Sequence, residues 1–351
     1  MVKLKSAVIA GMMFVAVGAM ASNFRAADQV YIPVAGHVAG ASGTFISDMF
    51  LSNMSADAVS VSVIYVQTGV SATPVQQNFN NVITLQPNER KEYIDFFISG
   101  LGQSCTGTQV CFGQLILNAC KQGGDCNVST CPGGSSGACP DFRNISAETR
   151  IYSIPAGTTL TSTPPPPTLG QDFAGIPWYN FVSSDAAPVG LDKIEITGLR
   201  NTGGAGTAGT YRGNIGLVNA SQFSTTTLIV KLFNGANSAQ IGSNATVTLG
   251  PLGHTQQNVS ALFPSFTGAT ATNAYVTVEQ SNTVPTGDAA AAGCPNGCPA
   301  FFAYGSVLDN ASGDPTTLES QYLKPLTDAA INCIYNSACK GAFNLHRAVK
   351  H

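Results

Sequence analysis

Charge is scarce in this chain. Asp, Glu, Lys and Arg make up 10% of its 351 residues, against roughly 25% in an ordinary soluble domain. No acidic residue occurs from Ile196 to Val278, so that stretch cannot supply the carboxylate pair that glycoside hydrolysis needs. Histidine is equally sparse, with four residues and none between His37 and His254. Cys/His metal centres want CxxC pairs or clustered histidines; neither pattern occurs, and the CxxCH tether of a haem is also missing. There is one tryptophan, Trp178. With a formal charge of −3, the chain has no basic field to attract nucleic acid or anionic lipid.

Long apolar runs are absent after the first 21 residues, so no membrane span is expected. Residues 1–21 read as a signal peptide: Lys3 and Lys5, an uncharged apolar run over Ala7–Ala19, and the small-x-small site Ala19-Met20-Ala21. Cleavage after Ala21 removes two lysines and moves the formal charge from −3 to −5. A lipid anchor would need a cysteine just behind the cleavage site, and the first cysteine is Cys105. The expected localisation is export, to the cell surface or the extracellular space, with the periplasm open.

What the chain does contain is itself, twice. TFISDMFLSNMS near residue 44 returns as TYRGNIGLVNAS near residue 210, and Thr44, Met49, Leu51, Asn53 and Ser55 match Thr210, Ile215, Leu217, Asn219 and Ser221 at a constant offset of 166. ITLQP (Ile83–Pro87) returns as VTLGP (Val247–Pro251), and GQLILNA (Gly113–Ala119) as AYVTVEQ (Ala274–Gln280). Two copies at a long period indicate tandem domains, because a solenoid needs shorter and more numerous units. Val59, Val61, Val63 and Tyr65 alternate with Ser60 and Ser62, the period of a half-buried strand. The first copy gives about seven such runs, near Val30–Val38, Ile46–Asn53, Val59–Gln67, Phe79–Leu85, Lys91–Phe97, Val110–Asn118 and Ile145–Ile154. Strands of that length with turns between them predict an all-β chain of two tandem Greek-key, immunoglobulin-like β-sandwiches, over 28–157 and 191–318.

Ten cysteines in an exported chain suggest disulfides. The first copy carries a Cys-rich loop over 105–139, with Cys105, Cys111, Cys120, Cys126, Cys131 and Cys139. Cys131–Cys139 and Cys294–Cys298 precede equivalent strands and are expected as equivalent bridges. Cys105–Cys111, Cys120–Cys126 and Cys333–Cys339 are further local pairs.

Residues 158–190 form a Pro-rich linker or strap. Its polyproline run Pro164–Pro167 favours an extended spacer. Its apolar cluster Ile176, Trp178, Tyr179 and Phe181 favours a strap over the first sandwich. After it, 319–351 reads as a helical tail, with Leu326, Ala329, Ala330 and Ile334 at helical spacing.

Several motif matches fail on context. GGSSG (Gly133–Gly137) has no strand before it and no helix after it, as a nucleophile elbow requires. GAGTAG (Gly204–Gly209) precedes another strand, leaving no helix N-terminus for a pyrophosphate. DNASGDP (Asp309–Pro315) lacks the bidentate glutamate of a calcium loop and reads as an Asx turn. Seven Asn-x-Ser/Thr sequons occur; those at Asn53 and Asn219 are expected to end strands and bond the following turn.

VYIPVAGHVAGASGTFISDMFLSN, IEITGLRN with TYRGNIGLVN, and FFAYGSVLDNASGDPT resemble the repeats of uncharacterised exported bacterial proteins with tandem immunoglobulin-like modules. The resemblance covers about Val30–Ser153 and Ile194–Thr317. It implies fold and compartment, and supplies no catalytic residue. The expectation is a non-enzymatic structural or adhesive protein without a cofactor, self-associating or joining another surface protein by strand addition. The alternative is a carbohydrate-binding protein using Trp178 and Tyr179 as a platform for polysaccharide.

Overall fold

Two sets of strands follow one another in the same order. The computed structural model describes residues 26–322, apart from 41–42, 70–75, 104, 106–110, 125, 127–140, 162–167, 178–179, 183–192, 205, 222–224, 269–270 and 282–299; for 76–82 it describes the backbone. The first set is β1 (Gln29–Gly40), β2 (Gly43–Asn53), β3 (Val59–Gln67), β4 (Gln76–Leu85), β5 (Arg90–Tyr93), the one-turn helix α1 (Phe96–Ser99), β6 (Cys111–Lys121), β7 (Ile145–Pro155), β8 (Leu169–Ala174) and β9 (Ile176–Pro177). The second is β10 (Lys193–Leu199), β11 (Tyr211–Asn219), β12 (Thr226–Asn234), β13 (Ala245–Leu249), β14 (His254–Asn258), α2 (Val259–Leu262), β15 (Ala274–Gln280), β16 (Phe301–Asp309), β17 (Pro315–Leu318) and β18 (Ser320–Tyr322).

The protein is all-β and sandwich-like, with antiparallel sheets. One layer of the first set runs β4-β3-β6-β1 with β9 beyond β1, and its counterpart runs β13-β12-β15-β10-β18. The facing layers are β5-β2-β7-β8 and β14-β11-β16-β17. In the first set the layers join, because β1 pairs with β6 up to His37 and with β2 from Val38. The repeat seen in the sequence is thus repeated in the pairing.

Three sequence-based boundaries move. The run Lys91–Phe97 is a strand only to Tyr93, and Phe96–Ser99 is helical. Phe96 and Phe97 are both fully buried. Neighbours in a strand point to opposite faces, so a helical turn is what tucks both inward. The expected linker contains β8 and β9, which hydrogen-bond to β7 and β1. At the start of the expected helical tail, Ser320–Tyr322 forms β18 on β10; the rest of the tail lies outside the described residues, as does the signal peptide.

The halves share a core. Val59, Val61, Val63 and Tyr65 face inward within the first half, packing with Leu115 and Leu117. Past Ser62 the opposite face also turns apolar, and Ile64, Val66, Ile116 and Tyr31 belong to the same buried cluster as Leu217, Ala220, Leu252 and Phe301 of the second half. A sheet covered on both faces carries near-continuous apolar runs, which explains why the alternation of β3 ends at Ile64. Phe181 wedges between the halves, edge-on to Tyr31 (4.5 Å) and Phe302 (6.4 Å). The backbone of Val182 pairs with that of Phe301.

Candidate functional site

The sequence spreads its few titratable groups thinly, yet the fold gathers four at one corner. His37 ends the part of β1 that pairs with β6, Asp48 lies on β2, Tyr152 on β7, and Asp95 precedes α1. His37 Nδ1 lies 2.8 Å from Asp95 Oδ2. The Asp95 backbone N–H donates to Asp48 Oδ1 (2.9 Å), and the buried Tyr152 hydroxyl donates to the same oxygen (3.0 Å). Burial raises the Asp95 carboxyl above its ordinary value, and the contact with His37 offsets only part of that. Burial and the nearby Asp48 carboxylate also push the Tyr152 phenol well up.

A His–Asp pair activates a side-chain nucleophile when a hydroxyl or thiol sits on the other imidazole nitrogen. Among the described residues no hydroxyl hydrogen-bonds to His37. The nearby Ser47 is fully buried, and its Oγ accepts the Gly36 N–H (2.8 Å). Among those residues no group of three His, Cys, Asp or Glu side chains is arranged to hold a metal ion. The corner ties β1, β2, β7 and α1 together.

A second buried polar group lies between the halves. His254 Nε2 is 3.0 Å from the Tyr304 hydroxyl, which donates onward to Gln256 Oε1 (3.0 Å). Burial lowers the imidazole to about 4, so it is neutral. The Tyr304 ring lies over Gly216, where any Cβ would fall within 2.1 Å of ring carbons. This is packing that fixes β14 and β16 against the first half.

The strand edges distinguish themselves more sharply. An open edge presents unpaired N–H and C=O groups, and proteins blunt such edges with charge, bulges, brevity or cover. β5 carries Arg90, Lys91 and Glu92 in exposed positions. β4 meets β3 through an irregularity between Val61 and Val63. β14 is capped at its first residue by Gly69, whose N–H reaches the His254 carbonyl at 2.6 Å while the His254 N–H returns to Gly69 O at 3.2 Å. β8 and β17 abut, with Thr317 Oγ1 donating to the Asp172 carbonyl (2.8 Å). β9 is two residues long and ends in Pro177, and β18 has three residues.

β13 has none of these devices. It pairs with β12 in unbroken register from Ala245↔Val230 to Leu249↔Thr226, and among the described strands it pairs with no other. Thr246 and Thr248 are exposed, while Val247 and Leu249 are buried. No Asp, Glu, Lys or Arg occurs from Leu232 to Val278. Lys193, Lys231 and Glu279, on the neighbouring strands of the same sheet, pair with one another. Burial pushes the Glu279 carboxyl up, but the two ammonium groups outweigh it and hold it below its ordinary value. β13 is the candidate interaction site.

Of the residues singled out from the sequence, Cys105–Cys111 and Cys120–Cys126 are bonded, with S–S distances of 2.02 and 2.05 Å. Such bonds fit an oxidising compartment. Trp178, Tyr179, Cys131, Cys139, Cys294, Cys298, Cys333, Cys339 and the GGSSG loop lie outside the described residues. GAGTAG leads into β11, as its flanking pattern suggested. Asp309 Oδ1 accepts from Ala311 N and Ser312 N, both at 2.9 Å, an Asx turn. The His37–Asp95 pair was missed; only the fold brings these residues together, and neither has a titratable counterpart in the second copy. Among the described residues no helix is long and apolar enough to cross a membrane.

No family model and no curated protein matches the chain. A solved lectin from Pleurotus ostreatus in complex with GalNAc is similar at 8% identity, over 86% of this chain and 80% of that one, with a TM-score of 0.17. At that score the likeness carries no argument.

Proposed function

We propose that this is a non-enzymatic exported protein, structural or adhesive at the cell surface or beyond it, which joins other chains by adding a strand to an open sheet edge. The observation that carries the reading is β13, the regular, charge-free edge in a protein whose other described edges are each blunted or covered. The scarcity of charge agrees with it, since little has to be desolvated when such surfaces meet. The matching strand orders of the two halves support reading them as tandem immunoglobulin-like Greek-key units, akin to repeats of exported bacterial proteins. The amino-terminal pattern and the two disulfides support export.

Incubation of the purified protein with the surface fraction of its own cells, or with itself at high concentration, tests this. Assembly or capture is expected, and blocking β13 abolishes it. A protein that stays monomeric and binds no surface component ends the reading.

Carbohydrate binding is the second reading. It is favoured by Phe233 and Tyr275, a cross-strand pair stacked at 5.0 Å on β12 and β15 and half-exposed. Aromatic rings at a polar surface suit sugar faces. Glycan-array binding lost in Phe233→Ala and Tyr275→Ala would establish it over strand addition.

A further inference from the structure

We infer that the partner β13 fits is β13 of a second copy, paired antiparallel about a twofold axis at Val247. This deepens the strand-addition reading and rests on it.

The argument begins with charge. When a strand meets its own copy around a twofold axis, the central residue faces its own like and the others face one another across the axis, so charges of one sign along the strand repel. A strand without charge escapes that repulsion. β13 and its flanks carry none, and none appears between Leu232 and Val278. This is the condition under which an edge can pair with itself without repulsion.

The register follows from the faces. Val247 and Leu249 point into the core and Thr246 and Thr248 point outward. A shift by one residue would set exposed threonines opposite buried valine and leucine, which the period-two pleat forbids. A shift by two keeps the faces but leaves residues of the strand unpaired. Centring on Val247 pairs all five residues. Thr246 then stands opposite Thr248 of the second copy, twice, and Ala245 opposite Leu249, twice. The outward rung already exists in one direction, since Thr227 Oγ1 and Thr248 Oγ1 lie 3.1 Å apart across β12 and β13. Pairing extends that threonine row into the second copy. On the inner face the small Ala245 meets the large Leu249, so the apolar layer continues without two bulky groups colliding. The five-stranded sheet of each copy becomes half of one continuous sheet.

The experiment compares the wild-type protein with Thr246→Lys/Thr248→Lys by sedimentation over a wide concentration range. Amide hydrogen exchange is followed in both. The two threonines are exposed, so near-UV circular dichroism should be unchanged. In the wild type, a concentration-dependent dimer is expected, with exchange protection gained over residues 245–249 as it forms. In the lysine variant, the dimer should weaken at least tenfold and that protection should vanish. If the variant misfolds, protection in the wild type decides alone. Assembly that survives in the folded lysine variant, with β13 amides unprotected, overturns this inference while strand addition elsewhere stands. A wild-type protein that stays monomeric, with β13 exchanging as an open edge, overturns both.

Discussion

The turn Gln86–Glu89 and the turn Gly250–Gly253 occupy the same place in their halves, each leading from one layer to the edge strand of the other. Asn88 and Leu252 are third in each turn, and both are left-handed, with φ of 58° and 53°. Each donates its backbone N–H to a serine just past the preceding long strand, Asn88 to Ser55 O (3.3 Å) and Leu252 to Ser221 O (2.7 Å). Asparagine tolerates this conformation, whereas a residue like leucine gives up about 1–2 kcal/mol. Asn88 faces solvent. Leu252 is fully buried in the cluster between the halves, and its carbonyl accepts from Gln114 Nε2 of the first half (2.8 Å). Burying a leucine is worth about 1.5–3 kcal/mol, enough to hold it in a conformation it disfavours. The same division recurs nearby. β5, facing water, carries Arg90, Lys91 and Glu92, while β14, bridged to Gly69 of the first half at His254, carries His254, Thr255 and Gln256. Asp95 precedes α1 in a left-handed conformation with its carboxylate committed to His37, whereas Asn258 is extended and caps α2 through Ser260 N (2.9 Å). The second half has been fitted to the first, and local preference yields where they meet.

Cutting the chain breaks this comparison most completely. If the second half were independent, a fragment of residues 193–322 would unfold cooperatively by itself. The Pro-rich stretch between the halves suggests such a boundary, but the shared cluster argues otherwise. Separation would expose Leu252, Ala220 and Phe301 on one side and Tyr31, Ile64 and Ile116 on the other. Calorimetry of the whole protein should therefore show one transition, and neither fragment, 26–182 or 193–322, should give a cooperative one. Two well-separated transitions would mean that the contact between halves is incidental.

Acid should act on the same contact. His254 is completely buried and neutral, with its imidazole lowered to about 4 against about 6.5 in the unfolded chain. Its Nε2 faces the Tyr304 hydroxyl and its Nδ1 has no hydrogen-bond partner, so an added proton would bring an unpaired charge between the halves. Above about pH 6.5 both states are neutral and the contribution is fully present. As the pH falls, the unfolded chain takes up the proton first, and stability declines until the folded form also protonates near 4. The loss should reach about 3 kcal/mol across that window. Chemical denaturation at a series of pH values measures it, and His254→Gln should remove this part of the slope. An unchanged slope in that variant would place the acid sensitivity elsewhere.

How much of this could be read beforehand depends on the range of the interaction. Asn53 and Asn219 were identified from a local echo, and both end a strand and hold two turns. Asn53 Nδ2 reaches Asp57 O (2.7 Å) and Gln86 O (2.9 Å), and its Oδ1 accepts from Ser55 N (2.9 Å). Asn219 likewise reaches Gly250 O (2.8 Å) and accepts from Ser221 N (3.0 Å). The run Val59–Gln67 was readable because period two survives along most of its length. The candidate edge was half-readable: the missing charge was plain, but which strand lay at the margin depends on pairing across the whole sheet. His37 with Asp95, and His254 against Tyr304, join residues about 50 to 60 positions apart through the fold alone. The contact between halves left traces in the sequence: the apolar Ile64 and Val66 where alternation with serine should have continued, and Phe181 in the apolar cluster of the expected strap.

The smallest test returns to the paired turns. If Leu252 is held left-handed only because its side chain is buried, leucine at the solvent-facing equivalent should meet the strain without that compensation. Asn88→Leu is then expected to destabilise the protein by about 1 kcal/mol. Asn88→Gly should be neutral or slightly stabilising, because glycine adopts this conformation freely. Both changes are at an exposed site, so neither creates a cavity nor disturbs the contact between the halves. Urea denaturation at neutral pH resolves a difference of this size, and an unchanged slope with denaturant would confirm that only stability has moved. Should Asn88→Leu prove as stable as the parent, the left-handed turn would carry no strain at either position. Leu252 would then be a residue placed at no local cost, and the second half would owe less to the first than its buried turn suggests.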